Sequence, residues 1–249
     1  MIEVAEQDGV AVLRLAHGKV NAMSIEFCEA LTARFAEISS TRAVVMTATG
    51  RTFSAGVDLV RLLEGGAPYV RKFLPILSGM FATVFSHPAP VVAAINGHAI
   101  AGGCVLACAA DKRLMARDGG RIGVTELLVG VPFPPAAMEI MRCAAAPQFF
   151  ADAIFSGATY TPDDALGRGM VNEVVGSDHL VSRAVAAART LAALSPAAFA
   201  LSKQTTRQPS LDRMEREGRR IDDAVMQIWC THDTLDRIRV YVARTLKKS

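Results

Sequence analysis

Two short glycine turns and one later glutamate are the residues of this chain best suited to act together on a substrate. The first turn, Ser54-Ala55-Gly56-Val57-Asp58, follows the apolar run 43–47. The second, Ala101-Gly102-Gly103-Cys104-Val105, follows the run 91–96. Turns that leave backbone N–H groups free can jointly hold an oxygen on which negative charge develops. Glu126, in Ile122-Gly123-Val124-Thr125-Glu126, can move a proton. Val105, beside the second turn, cannot.

These residues need a framework, and the hydrophobic pattern supplies one. Residues 2–6 and 10–15 flank Asp8-Gly9 and read as a hairpin with a primed turn. Ser24 can cap a helix whose Phe27, Leu31, Phe35 and Ile38 share one face. Residues 43–47, 91–95 and 112–116 read as short buried strands. Asp58 starts a short helix that ends in a Gly65-Gly66 loop. Residues 68–86 then carry helical apolar spacing, with a kink or break expected at Pro75. Residues 97–103 read as a loop, 104–110 as a tightly packed helix of small residues, 162–167 as a helix and 171–175 as a strand. The alternation argues an α/β fold with parallel strands. From Asp178 onward the pattern is all helix, over 178–194, 196–207, 212–229 and 233–246, with Ser195-Pro196 as a cap and first-turn pair. An all-helical tail on an α/β core suggests a second module that packs on the core or on a neighbouring subunit, and the chain is divided into residues 1–194, the α/β core, and residues 195–249, the helical C-terminal region.

Composition narrows the function classes. The chain has 249 residues, is 51% hydrophobic and 20% charged, and can bury a sizeable core. A net charge of +3 without a dense basic stripe argues against nucleic acid. The longest apolar stretch, 88–110, is broken by Asn96, Gly97, His98, Gly102 and Gly103, so no membrane association is expected. The N-terminus lacks the basic and apolar regions of a signal peptide. The five cysteines are scattered and read as reduced thiols; neither a metal site nor a resident cofactor is expected, and the cytoplasm is the expected location. Basic residues thicken at the end, in Arg237, Arg239, Arg244, Lys247 and Lys248, as a solvated helix face or as a local site for an anion.

The motifs resemble those of the crotonase (enoyl-CoA hydratase/isomerase) superfamily. Phe53-Ser54-Ala55-Gly56-Val57-Asp58-Leu59 is similar to its first signature, and Asn96-Gly97-His98-Ala99-Ile100-Ala101-Gly102-Gly103-Cys104 to its second. Asp111 fits the acid that closes the following helix. Ser156-Gly157, Ala165, Gly169-Met170-Val171 and Val174 fit a third segment, and Asn21-Ala22-Met23 an early one. The resemblance implies a spiral of strand–strand–helix units with a helical C-terminal region, a homotrimer or dimer of trimers, and an acyl-coenzyme A substrate, coenzyme A being part of the substrate. It maps the oxyanion-hole N–H donors to Val57 and Gly102. It places Lys19, Val20, Asn21, Ser54, Ala55, Gly56 and Asp58 along the coenzyme A. Leu62, Leu63, Phe73, Val105 and Pro132 are the expected acyl-pocket wall. His98, in the site loop, is expected to be structural rather than a ligand contact.

Hydratases of the superfamily usually carry two glutamates; here Val105 stands at the first position and Glu126 at the second. The pattern is similar to Δ3,Δ2-enoyl-CoA isomerases, in which one base moves a proton from C2 to C4 through a dienolate. Three readings follow: an isomerase with Glu126 as proton shuttle, a 2-enoyl-CoA hydratase working with a single glutamate, and a non-catalytic acyl-CoA-binding protein.

Overall fold

Asp8 and Gly9 both take positive φ, 52° and 80°, and turn β1 (Ile2–Gln7) back onto β2 (Val10–Leu15) as a tight hairpin. The computed structural model describes residues 1–39 and 42–246. Ser24 accepts a hydrogen bond from the Phe27 N–H and opens α1 (Ile25–Glu37), which buries Phe27, Leu31 and Phe35.

A unit then repeats: one strand, a second short strand, then a helical segment. Its three rounds are β3 (Val44–Ala48), β4 (Thr52–Ser54) and α2 (Leu59–Ser86); β5 (Val91–Ile95), β6 (His98–Ile100) and α3 (Gly102–Cys108); and β7 (Lys112–Ala116), β8 (Ile122–Gly123) and a 3₁₀ turn, Glu126–Val129. The first strand of each unit joins a six-stranded sheet of order β1-β2-β3-β5-β7-β9, where β9 is Glu173–Val175. The second joins a three-stranded parallel sheet, β4-β6-β8. Between them and the chain end lie α4 (Pro135–Ala144), α5 (Pro147–Ser156), α6 (Pro162–Gly167), α7 (Leu180–Ala192), α8 (Pro196–Trp229) and α9 (His232–Leu246). This is the expected α/β spiral with helices at its C-terminal end.

The large sheet is covered on both faces, which is why its central strands read as continuous apolar runs. Leu13, Met46, Ala93 and Met115 face one core, with α1 and α2. Val12, Val45, Val92 and Leu114 face a second, closed by Leu180, Ala184 and Ala188 of α7.

Some elements depart from the pattern. Pro75 lies inside a continuing helix; the break falls at Gly66, whose φ of 56° and ψ of −153° are open mainly to glycine. A proline has helical φ already and removes one hydrogen bond, so packing on α1 and α4 can carry it. Likewise α8 runs through 208–211 as one helix with Pro209 inside it. The expected loop 97–103 contains β6, and α4 and α5 had no counterpart in the sequence reading. Of the C-terminal basic residues, Arg237 and Arg239 pair with Asp233 and Asp236 on their own helix; Lys247 and Lys248 lie outside the described residues.

Asp111, at the start of β7, fastens α8 to this core. Its carboxylate accepts from the Val91 N–H and from Lys203 Nζ, both at 2.7 Å, and from Arg207 at 2.8 Å. Burial pushes the Lys203 ammonium down to about 8, although Asp111 holds it up. The pair therefore depends on its carboxylate. Replacing one partner of a buried ion pair strands the other charge at a cost of about 3–5 kcal/mol. Asp111→Asn is expected to lower unfolding free energy by about 3 kcal/mol in urea titrations, and adding Lys203→Met to recover part of it. A loss under about 1 kcal/mol would show that the cluster does not hold α8.

Candidate active site

All three site segments leave the same edge of the small sheet. Because β4, β6 and β8 are parallel, their C-terminal ends lie side by side. Ala55 to Asp58 follow β4, Ala101 and Gly102 follow β6, and Val124 to Glu126 follow β8. Ligands of open parallel sheets gather at this end.

Backbone pairing aims the first donor. Met23 bridges Val57 in parallel: its N–H donates to the Gly56 carbonyl at 2.8 Å, and its carbonyl accepts from the Asp58 N–H at 3.0 Å. The N–H of Val57, between these two bonds, points away from Met23 by the alternation of an extended chain. The second donor is aimed by strain. Ala101 holds φ 51° and ψ −124°, a region costly to a residue with a Cβ. Its N–H donates to the Gly123 carbonyl, and its own carbonyl accepts from the N–H groups of Cys104 and Val105. Gly102 opens α3, where helical N–H groups have no helical acceptor. Among the described residues, neither the Val57 nor the Gly102 N–H has an acceptor.

The two turns touch. A Cβ on Gly56 would lie 3.0 Å from the Gly102 nitrogen, and one on Gly102 would lie 3.6 Å from the Gly56 Cα. The donors therefore sit on adjoining chain segments at the rim of one cavity.

That cavity has a volume of about 70 Å³. Val57, Gly102, Val105 and Glu126 all line it, with Ala55 and Ala101. Apart from Thr125, the remaining wall is apolar or aromatic: Leu59, Leu77, Phe81, Val129, Val131, Ala137, Trp229 and Tyr241 among others. Glu126 is the cavity's one carboxylate among the described residues, and 9% of its surface is exposed. Its Oε2 has no partner. Burial raises the carboxyl to about 7, against the pull of the neighbouring N–H groups of Glu126 and Thr125. A carboxylate in this state can take up and release a proton near neutral pH.

A larger cleft, about 710 Å³, opens between β7, α7 and α8. Its charged side chains are already engaged: Asp111 with Lys203 and Arg207, Lys112 with Glu173, and Arg113 with the carbonyls of Met170 and Ala110.

The segments expected along coenzyme A meet one another. The Ala55 N–H donates to the Val20 carbonyl at 3.0 Å, and Ser54 Oγ donates to the Asn21 carbonyl at 2.8 Å. Buried Asn21, at φ 48°, donates from Nδ2 to the Thr52 carbonyl. Lys19 and Val20 are exposed beside them, and Asp58 caps α2.

The structure does not bring the expected wall residues Leu62, Leu63, Phe73 and Pro132 to the cavity. Leu62 and Phe73 are fully buried in the core, on the turns of α2 around the Gly66 break. Leu77 and Phe81, farther along that helix, take their place, and Pro132 contributes its carbonyl to Trp229. His98 is exposed, accepts from the Arg121 N–H, and does not line the cavity. Trp229 and Tyr241 belong to none of the sequence motifs. The one signal was that Trp229 is the sole tryptophan in the chain, at the end of a helix.

Comparison with known proteins places this geometry. Over 167 residues the chain is 34% identical to a Thermus thermophilus protein named a candidate enoyl-CoA hydratase, a match covering 66% of this chain and 65% of that one. Over 222 residues it is 27% identical to the mouse mitochondrial enoyl-CoA delta isomerase 1, covering 87% of this chain and 77% of that one. In fold it superposes on the crystal structure of the human mitochondrial delta3-delta2-enoyl-CoA isomerase with a TM-score of 0.94, at 23% identity, covering 100% of this chain and 99% of the other. The family model for enoyl-CoA hydratase/isomerase matches residues 5–239, a span holding all three turns and Trp229, and the chain belongs to that family.

Proposed function

We propose that this protein moves the double bond of a 3-enoyl-coenzyme A to the 2-position, with Glu126 as the single proton shuttle. The observation that carries this reading is the pairing of one buried carboxylate, its Oε2 without a hydrogen-bond partner, with an apolar Val105 in the same cavity.

The thioester carbonyl oxygen sits between the Val57 and Gly102 N–H groups. When Glu126 takes a proton from C2, the electron pair delocalises over the oxygen and the C3–C4 double bond as a dienolate. The two N–H donors stabilise that charge, each worth about 3–4 kcal/mol of barrier. Glu126 then returns the same proton to C4, and the double bond forms between C2 and C3. Atoms balance without water. The coenzyme A lies along Lys19, Val20, Asn21 and Ser54 to Asp58, held through main-chain groups.

Val105 supports this chemistry over hydration. Addition of water to a 2-enoyl thioester needs a water held and polarised over C3, and an isopropyl side chain gives it no hydrogen bond. An apolar wall also excludes water from the dienolate. Hydration by Glu126 alone is the second reading, favoured by the Thermus relative's name.

A side-by-side assay separates the two. Turnover of a 3-enoyl-CoA is expected to exceed hydration of the matching 2-enoyl-CoA by at least about 100-fold. Glu126→Gln should cut isomerisation by about 10³-fold or more, while the dissociation constant for a saturated acyl-CoA changes by less than about fivefold. Isomerisation that survives in this variant would remove Glu126 from the mechanism. Absence of any turnover would leave a binding protein.

The same carboxylate makes stability depend on pH. Its folded value, about 7, exceeds the ordinary 4.5. Between these values the folded state binds more protons than the unfolded chain, so stability falls as pH rises through the window and is lowest above 7. Glu126→Gln lacks this penalty. Relative to wild type it should gain about 2 kcal/mol between pH 5 and pH 8, measured by denaturant unfolding at both values. In the wild type, kcat/KM should rise with pH to a plateau above about 7, as the base form accumulates. An unfolding difference that does not change with pH would mean that Glu126 titrates normally.

A further inference from the structure

The cavity of the candidate site is walled by side chains that have little freedom to yield. Its volume, about 70 Å³, is under half the roughly 150 Å³ of a void that takes one benzene molecule. Leu77, Phe81, Ala137 and Trp229 are almost wholly buried where they line it. Trp229 is also pinned: its indole N–H donates to the Pro132 carbonyl at 3.0 Å. Rotating the ring away would break this bond and drive the indole into the packed core, where added volume is poorly tolerated.

We infer that the site takes short-chain acyl thioesters, and that Trp229 sets this limit. The inference rests on the acyl-thioester reading of the cavity proposed above. A methylene that finds apolar room gains about fourfold in affinity. A methylene that meets Phe81 or the locked indole gains nothing and forces the wall apart. Binding should therefore improve with chain length only until the cavity is full. Trp229 is the largest side chain in the wall, and it stands on α8, a different element from those that carry the two N–H donors and Glu126.

Saturated thioesters test this without relying on the reaction. Calorimetric titration of the full chain with butyryl-, hexanoyl-, octanoyl- and decanoyl-coenzyme A should show affinity holding or rising to hexanoyl, then falling at least tenfold by decanoyl. Trp229→Leu should restore decanoyl binding at least tenfold while changing butyryl binding less; the milder Trp229→Phe, which removes the hydrogen bond, should do so in part. Equal wild-type affinity for butyryl and decanoyl thioesters overturns the length limit. A selective wild type whose folded Trp229 variants keep the same cut-off overturns the role of Trp229. Short-chain-selective binding without turnover of 3-hexenoyl-coenzyme A leaves the limit standing and overturns the isomerase reading. Equal kcat/KM for 3-hexenoyl- and 3-decenoyl-coenzyme A does the reverse. Failure of all four saturated thioesters to bind overturns both.

Discussion

A Cβ on Gly103 would lie 2.2 Å from the Ser54 carbonyl oxygen, and a Cβ on Gly56 would lie 2.9 Å from that of Ile100. These separations are too short for any side-chain carbon. The turn after β4 and the turn after β6 are in backbone contact, and glycine is what permits it. The spacing of the two N–H donors follows from this contact, as does the position of α3, whose first turn carries Val105. The Met23–Val57 bridge on one side and the Ala101–Gly123 hydrogen bond on the other extend the same fastening to α1 and to the turn that bears Glu126. The strained dihedrals of Ala101 persist because its neighbours fix it from both directions, which is how local strain survives at a functional site.

Glu126 is costly within this frame. A carboxyl pushed to about 7 by burial, with one oxygen unpartnered, lowers the stability of the folded state whenever it is ionised. Nothing in the packing requires an acid there, since the rest of the wall, Thr125 apart, is apolar or aromatic. Departures from the rules of core packing concentrate at sites of function. The contrast with Asp111 is instructive. That acid is also largely buried, but three donors satisfy it, and its work is to hold α8.

The elements legible in the sequence were those long enough to show a period. The hairpin, α1, the strands of the large sheet and α6 came from alternation, helical spacing and caps such as Ser24. The small sheet did not, because β4, β6 and β8 have two or three residues each, too few for any periodicity to register. Yet that sheet positions the site. The glycine turns were readable only because glycine marks places where backbone approaches backbone, whatever the strands around them. The cavity wall was less legible still. Leu62 and Phe73 are as apolar as Leu77 and Phe81, and which pair meets the cavity depends on the Gly66 break and on how α2 packs beyond it. Trp229 reaches the site from a helix far along the chain, a contact no local pattern encodes.

The wall and the chemistry thus come from different parts of the fold. The donors and the glutamate ride on the small sheet; Trp229 and Tyr241 arrive on α8 and α9. Residues 203 and 229 lie on one continuous helix, about 40 Å apart at 1.5 Å per residue. One end is fastened by Asp111 and the other by the Pro132 carbonyl. A helix held at both ends presents its last side chain at a fixed depth, so on the proposed reading the length of acyl chain admitted is a property of how α8 is mounted rather than of the two glycine turns. On the same reading, substitutions on α8 alter which substrate fits without displacing the two N–H groups or Glu126, whereas any change that separates Gly56 from Gly102 alters the proposed chemistry for every substrate alike.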